Sequence, residues 1–362
     1  MENTKFTIGN YCNGRKNNLD FIRFLAASLV IYSHSFVLVQ GNYNGELLVR
    51  YTKNNWSSGS LAVSTFLIIS GFLVLQSYDR SNNVFSYFKK RILRIFPGLA
   101  VVTLLSVFIL GPLLSTLSTK EYFQNSATYD YLKNIFLIPV YGLPGVFSNM
   151  ANASINGSLW TIGYEFFFYI LIAVMGIIGV FKFKWSQLYI FIAFIYIYIF
   201  KANIFMQSFT VFKILDIYTL IELGLSFSIG MLIYTYRNKI ILDKWLALLA
   251  LICLLLFWRQ GVCVLPFIFF GSYLIFYIGY NQKIKVYNFT KYGDFSYGIY
   301  IYAFPIQQTY IYLLNGSITP YMNFILSFVT TLFFAALSWH LIEKPFLKLK
   351  SIKIFKRGNK SD

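Results

Sequence analysis

The sequence predicts an all-α integral membrane protein of about ten transmembrane helices with both termini cytoplasmic. Three observations carry that prediction. Of 362 residues, 57% are hydrophobic and only 12% charged, where soluble domains average about 25% charged. Apolar stretches near 20 residues long, enough to cross about 30 Å of hydrocarbon, recur ten times. Twenty-three of the 31 Lys and Arg residues fall on alternate connections between those stretches. The same composition excludes disorder. Three cysteines are too few for a disulfide scaffold, and two histidines beside them cannot build a His- or thiolate-based metal site, so no metal is expected.

In chain order, residues 1–19 are polar, lack the short apolar run of a cleavable signal peptide and form a cytoplasmic segment. The membrane domain, 20–342, holds spans at 20–40, 61–79, 95–117, 157–180, 186–203, 213–236, 243–258, 261–280, 292–314 and 320–342. The seventh and eighth are parted only by Arg259, Gln260 and Gly261, and Pro97 is expected to mark the start of the third helix. A basic tail, 343–362, follows. An even number of spans puts both ends on one side, and the charge bias makes that side cytoplasmic. The net charge of +18 is thereby a topology signal and implies no nucleic-acid partner. Segment 118–156 is too polar to span and is expected to face an acceptor on the outer side.

Ionisable side chains within a span cost roughly 2.5–3.5 kcal/mol each and mark function by default. Arg23 and His34 lie eleven residues apart in the first span, close to three full helical turns, so they share a face about 16 Å apart along the axis. Arg91 and Arg94, spaced i and i+3, point the same way, and paired guanidiniums suit phosphate. Glu165 lies about two turns into the fourth span, within Gly157-Ser-Leu-Trp-Thr-Ile-Gly-Tyr-Glu165, and needs a cation or proton donor. His34 supplies one: a carboxylate that orients an imidazole is a recurrent general base. Ser70, Ser158, Trp160 and Tyr297 are expected to line a pocket or its acceptor side, while Asp216 and Glu222 receive no role.

These motifs together resemble the acyltransferase-3 family of bacterial membrane O-acyltransferases, in the members that lack a fused esterase-like domain. Arg23 and His34 match a basic-x10-His signature, Phe66 to Leu73 a Phe-x-x-Ser-Gly-Phe-Leu element, and Arg91 with Arg94 an Arg-x-x-Arg pair. Ser158-Leu-Trp160 with Glu165, and Ile342-Glu-Lys-Pro-Phe346, match two more. Ala303 stands where the ninth-helix motif often has histidine, so no mechanism needing a second buried histidine is expected. The resemblance implies transfer of an acyl group, most often acetyl, from cytoplasmic acyl-CoA to a hydroxyl of a cell-surface or lipid-linked glycan. The enzyme would sit as a multi-pass protein among the lipids of the bacterial inner membrane. In that reading acetyl-CoA is a donor substrate and no cofactor is permanently bound. Arg23, Arg91 and Arg94 take its phosphates, and His34 is the base oriented by Glu165. A homo-oligomer or a separate acceptor-side partner is compatible with it. The alternative is a proton-coupled transporter or flippase with Arg23, His34 and Glu165 as its pathway.

Overall fold

The computed structural model describes residues 6–12, 14, 17–81, 83–204, 210–211 and 215–351. Helices occupy all ten predicted apolar stretches: α1 (Leu19–Gln40), α2 (Ser58–Asp79), α3 (Val84–Leu105), α4 (Trp160–Ile177), α5 (Ser186–Ile204), α6 (Ile217–Thr235), α7 (Lys244–Arg259), α8 (Ser272–Tyr280), α9 (Ser296–Leu313) and α10 (Pro320–Ser338). Among the described residues, six segments are long and apolar enough to cross a membrane: α1, α2, Val84–Leu114, α4, α6 and Pro320–Lys348. Ser186–Phe200 and Val264–Tyr280 are shorter apolar helices. A two-residue ribbon, β1 (Thr210–Val211) against β2 (Leu215–Asp216), pairs antiparallel with Thr210 opposite Asp216. Lys213 and the tail from residue 352 lie outside the described residues.

The helix starts follow from capping side chains. Ser57, Asn83, Asp216, Asp243 and Thr319 each accept a first-turn backbone N–H, which satisfies a donor the helix itself leaves free. Asp216 thus has a structural role. The third helix corrects the expected start: it begins at Val84, and Pro97 lies inside it. Its first turns carry Lys89, Lys90, Arg91 and Arg94, so hydropathy misses them while the Asn83 cap fixes them. Between α7 and α8, Gly261 takes a positive φ of 81°, a conformation glycine adopts without steric cost.

Two glycines bring α2 and α6 into backbone contact. A Cβ at Gly71 would lie 2.0 Å from Phe227 O, and one at Gly230 would lie 2.1 Å from Ile68 O. Small residues at such a crossing let helices associate in lipid, where no hydrophobic force drives them together. Overpacking of this kind costs about 1–3 kcal/mol. Gly71→Val is therefore expected to lower the thermal midpoint in detergent by more than about 3 °C, and an unchanged midpoint would contradict the contact.

Helix α1 packs between α2 on one side and α9 and α10 on the other. Its register is held by buried amides. Gln307 Nε2 donates to Ile31 O and to Ser35 Oγ, both at 2.8 Å, and Asn323 Nδ2 donates to Gln307 O at 3.1 Å. Glu46, fully buried, accepts from Ser33 Oγ at 2.8 Å and from Ser58 N, which ties α1 to the start of α2. Segment 118–156 folds as short helical turns over a core of its own around Tyr122, Tyr131 and Phe147.

Candidate active site

The basic end of the bundle gathers the starts of α1, α3 and α9 and the wide π-turn Trp339–Glu343 that follows α10. Asp294, two residues before α9, joins them. Its Oδ2 accepts from Arg23 Nη1 at 3.1 Å and from Arg94 Nη2 at 2.6 Å, while its Oδ1 accepts from Ser296 Oγ at 2.6 Å. Arg94 Nη1 also lies 3.7 Å from Glu343 Oε2, in a side chain only 2% exposed. Asp20 adds a third carboxylate, 3.5 Å from Arg23. Arg23 and Arg94, only 21% and 16% exposed, are therefore charge-balanced by the protein itself, as guanidiniums drawn largely out of water need to be.

Arg91 is placed differently, although it is one helical turn from Arg94. Its guanidinium lies 5.7 Å from the Tyr169 ring centroid, Nη2 donates to Ser77 Oγ at 3.2 Å, and buried Nε has no partner. Lys344, Lys348 and Lys350 stand around the same opening. Loss of hydration at that mouth, reinforced by the positive charges of Arg94, Arg91 and Lys90, pushes Lys350 down to about 8.

From this mouth a cavity of about 800 Å³ runs between α2, α3, α4 and α9. Glu165 lies along it, with Ser70 Oγ donating to Oε1 at 2.7 Å and Tyr169 Oη donating to the same oxygen at 2.6 Å. Among the described residues Oε2 has no hydrogen-bond donor. Tyr297 lines the same cavity, but its hydroxyl donates to Ile95 O at 2.7 Å.

A second cavity, about 290 Å³, lies beyond it and holds His34, Ser158, Trp160 and Glu222. His34 meets the edge of Phe304, with ring centroids 5.3 Å apart at 78°. Its Nδ1 and the Ser158 Oγ are buried with no partner. Asn156 fixes Ser158: Oδ1 accepts from Ser158 N at 3.1 Å, and Nδ2 donates to Ile301 O at 2.7 Å.

Val63, Thr161 and Tyr300 line both cavities and form the wall between them. Tyr300 Oη donates to Ser158 O at 2.8 Å. A phenol has a single proton, so the hydrogen bond shared by Tyr300 and Thr161 is donated by Thr161.

The structure brings Arg23 and Arg94 together at Asp294 and places His34 with Ser158 and Trp160. Ser70, Tyr297 and Glu165 line the other cavity, on the basic side of the wall. The expected pairing of Glu165 with His34 is thus corrected: no hydrogen bond joins them, because Glu165 is bonded to Ser70 and Tyr169 and the Thr161–Tyr300 wall lies between the cavities. The joint phosphate role expected of Arg91 and Arg94 also divides, since Arg94 is neutralised and Arg91 is not. Asp294, Glu343 and Tyr300 are not among the expected site residues, and Glu222 is named in the sequence without a role. The signal for the first two is electrostatic, as arginines drawn into an apolar bundle require carboxylates nearby. Among the described residues no three His, Cys, Asp or Glu side chains gather closely enough to hold a metal ion.

Comparison with known proteins places this geometry in context. A family model described as an acyltransferase domain matches residues 16–341. The chain is similar to an O-acetyl transferase of Shigella phage Sf6, 29% identical over 360 residues that cover 94% of this chain and 98% of the relative. It is also similar to Nodulation protein 10 of Rhizobium leguminosarum bv. viciae, 27% identical over 371 residues that cover 96% and 97% of the two chains. No solved structure matches the chain.

Proposed function

Because the chain belongs to the acyltransferase-3 family and is a membrane O-acetyltransferase, we propose that it moves an acetyl group from cytoplasmic acetyl-CoA, through the wall between its two cavities, to a hydroxyl of a cell-envelope glycan. The observation that carries this reading is the contrast between the cavities. The larger opens among Arg91 and three lysines, while the smaller holds His34 and, among the described residues, has no Lys or Arg in its lining. A polyanionic donor and a neutral acceptor are thereby matched to opposite sides of one wall. In this reading the ten apolar segments cross the bacterial inner membrane, the eighth as the whole of Val264–Tyr280, with the basic face in the cytoplasm.

Arg91, Lys344, Lys348 and Lys350 receive the phosphates of the donor. Arg23 and Arg94, joined through Asp294, shape the opening and add a positive field without giving up their carboxylates. The pantetheine arm, on the order of 15–20 Å long when extended, reaches from this mouth to the wall. Glu165 lies along its path, and Oε2 accepts an amide N–H of the arm.

At the wall the acceptor oxygen attacks the thioester carbonyl carbon while His34 takes its proton. The C–S bond then breaks, the ester C–O bond is complete, and coenzyme A leaves through the larger cavity as thiolate or, after return of the proton, as thiol. Neither a metal nor a redox partner is needed to balance this transfer. The experiment that tests it is transfer of label from acetyl-CoA to envelope glycan in membranes containing the protein, against membranes without it. Label in glycan is expected; coenzyme A release and glycan labelling both at the control level would overturn the reading.

Lys350 adds a pH dependence whose sign is fixed. Its charge favours the bound phosphate below about 8 and is lost above it. The KM for acetyl-CoA is expected to rise between pH 7 and 9 by roughly two- to fivefold, the scale of one exposed ion pair. Lys350→Arg, charged throughout that range, is expected to flatten the rise, as initial rates across the pH series will show.

A further inference from the structure

The wall between the two cavities carries an assignment of its own, which rests on the transferase reading above. We propose that Val63 on α2 sets the length of the acyl group, admitting a two-carbon chain and excluding longer ones.

The passage narrows at one level of the bundle. On α2, Gly59 and Ser60 line the smaller cavity, Phe66, Leu67 and Ser70 line the larger, and Val63 lines both. These positions recur every three or four residues, so they form one face of the helix. Thr161 on α4 and Tyr300 on α9 complete the narrowing from two other helices.

Two of the three side chains in the wall are fixed by hydrogen bonds. Thr161 donates to Tyr300, and Tyr300 Oη donates to Ser158 O at 2.8 Å, so both hydroxyl protons are committed. The Tyr300 ring is also held edge-on by Phe66, with centroids 5.8 Å apart at 72°. Val63 has no polar group and is held by packing alone, half-buried against the main core. Its two methyl groups are therefore the part of the wall whose size changes without breaking a hydrogen bond.

The geometry of the transfer puts the alkyl group at this residue. The thioester sulfur points back along the larger cavity, and the acceptor oxygen approaches the carbonyl carbon from the smaller one. The carbonyl oxygen and the alkyl group then lie across the wall. Thr161 and Tyr300 present hydroxyls there, whereas Val63, followed by Phe66 and Leu67, presents apolar surface, and an alkyl group takes the apolar side. Acetyl places one methyl against Val63. A propionyl or butyryl chain either drives a further carbon into the Val63 methyls or draws the carbonyl back from the wall, away from the acceptor oxygen. Misplacement of a reacting atom by about 1 Å costs on the order of 10²-fold in rate.

The test compares donors that differ only in acyl length. Purified protein is given envelope polysaccharide of the source cells and acetyl-, propionyl- or butyryl-CoA, and rates are read as coenzyme A release. The unaltered protein is expected to prefer acetyl over propionyl by about tenfold or more in kcat/KM, the scale on which an apolar pocket discriminates one methylene. Val63→Ala is expected to raise the propionyl-to-acetyl ratio by about tenfold or more. Val63→Thr keeps the branched shape and is expected to leave that ratio within about threefold, so that the effect follows size and not polarity. Val63→Ile, one carbon larger, is expected to lower acetyl transfer by about fivefold or more. A ratio near one in the unaltered protein, an unchanged ratio in Val63→Ala, or equal rises in Val63→Ala and Val63→Thr would overturn the assignment. Should Val63→Ala fail to accumulate, undiminished acetyl transfer by Val63→Ile would overturn it, and the expected loss would support it. Absence of coenzyme A release from all three donors with the unaltered protein would instead overturn the transferase reading beneath it.

Discussion

Replacing His34 with alanine is expected to lower acetyl transfer by about 10²–10⁴-fold, the usual contribution of a general base, while the protein still inserts and accumulates in the membrane. The structure explains why the loss is chemical. His34 rests against the edge of Phe304, its Nδ1 bonds nothing, and the clamp that positions α1 is built from Ile31, Ser35, Gln307 and Asn323. Truncation enlarges the smaller cavity without breaking a helix contact of that kind. Added imidazole is expected to restore part of the rate through the space left behind. A His34→Ala protein that keeps more than a tenth of the activity would remove His34 from the mechanism.

The second large effect is on stability. Asp294→Asn leaves Arg23 and Arg94 facing each other with one neutral amide in place of the shared carboxylate. Breaking a fully buried ion pair on one side typically costs about 3–5 kcal/mol; these side chains are 14–21% exposed, so a loss nearer about 2 kcal/mol is expected, lowering the thermal midpoint by roughly 5 °C. Glu343 remains 3.7 Å from Arg94 and softens the loss at that arginine, whereas Arg23 retains only the more exposed Asp20. A midpoint within 2 °C of the unaltered protein, measured in the same detergent, would show that the cluster is solvated and carries little of the fold.

Much of the architecture is legible in the sequence because bilayer solvation is a blunt physical constraint. Each of the ten apolar runs holds a helix, six of them among the described residues long and apolar enough to cross a membrane, and even the tight turn at Gly261 follows from the three residues that separate α7 from α8. The start of α3 is not legible from hydropathy. Its first turns are amphipathic and basic, and the Asn83 cap rather than Pro97 sets the boundary.

The site is legible residue by residue and less so as an arrangement. Spacing along α1 correctly separates Arg23 from His34, with one at the mouth of the larger cavity and the other in the smaller. The same depth argument fails for Glu165, since equal depth on two helices says nothing of what stands between them. There the Thr161–Tyr300 wall intervenes, and Ser70 and Tyr169 take the carboxylate. Asp294 is 200 positions from its partner Arg94, and only packing of α3 against α9 brings them within reach. Glu222 has no role legible in the sequence, since only the packing of α6 brings it to the cavity that holds His34.

The two-cavity account is tested most directly by sidedness. Sealed vesicles of defined orientation, all containing the protein and its glycan acceptor, receive labelled acetyl-CoA on the outside only. Label is expected in glycan when the face bearing Arg91 and Lys350 is outermost, and in the opposite orientation only after the vesicles are made leaky. Equal labelling of intact vesicles in both orientations, or labelling from the opposite face alone, would contradict it.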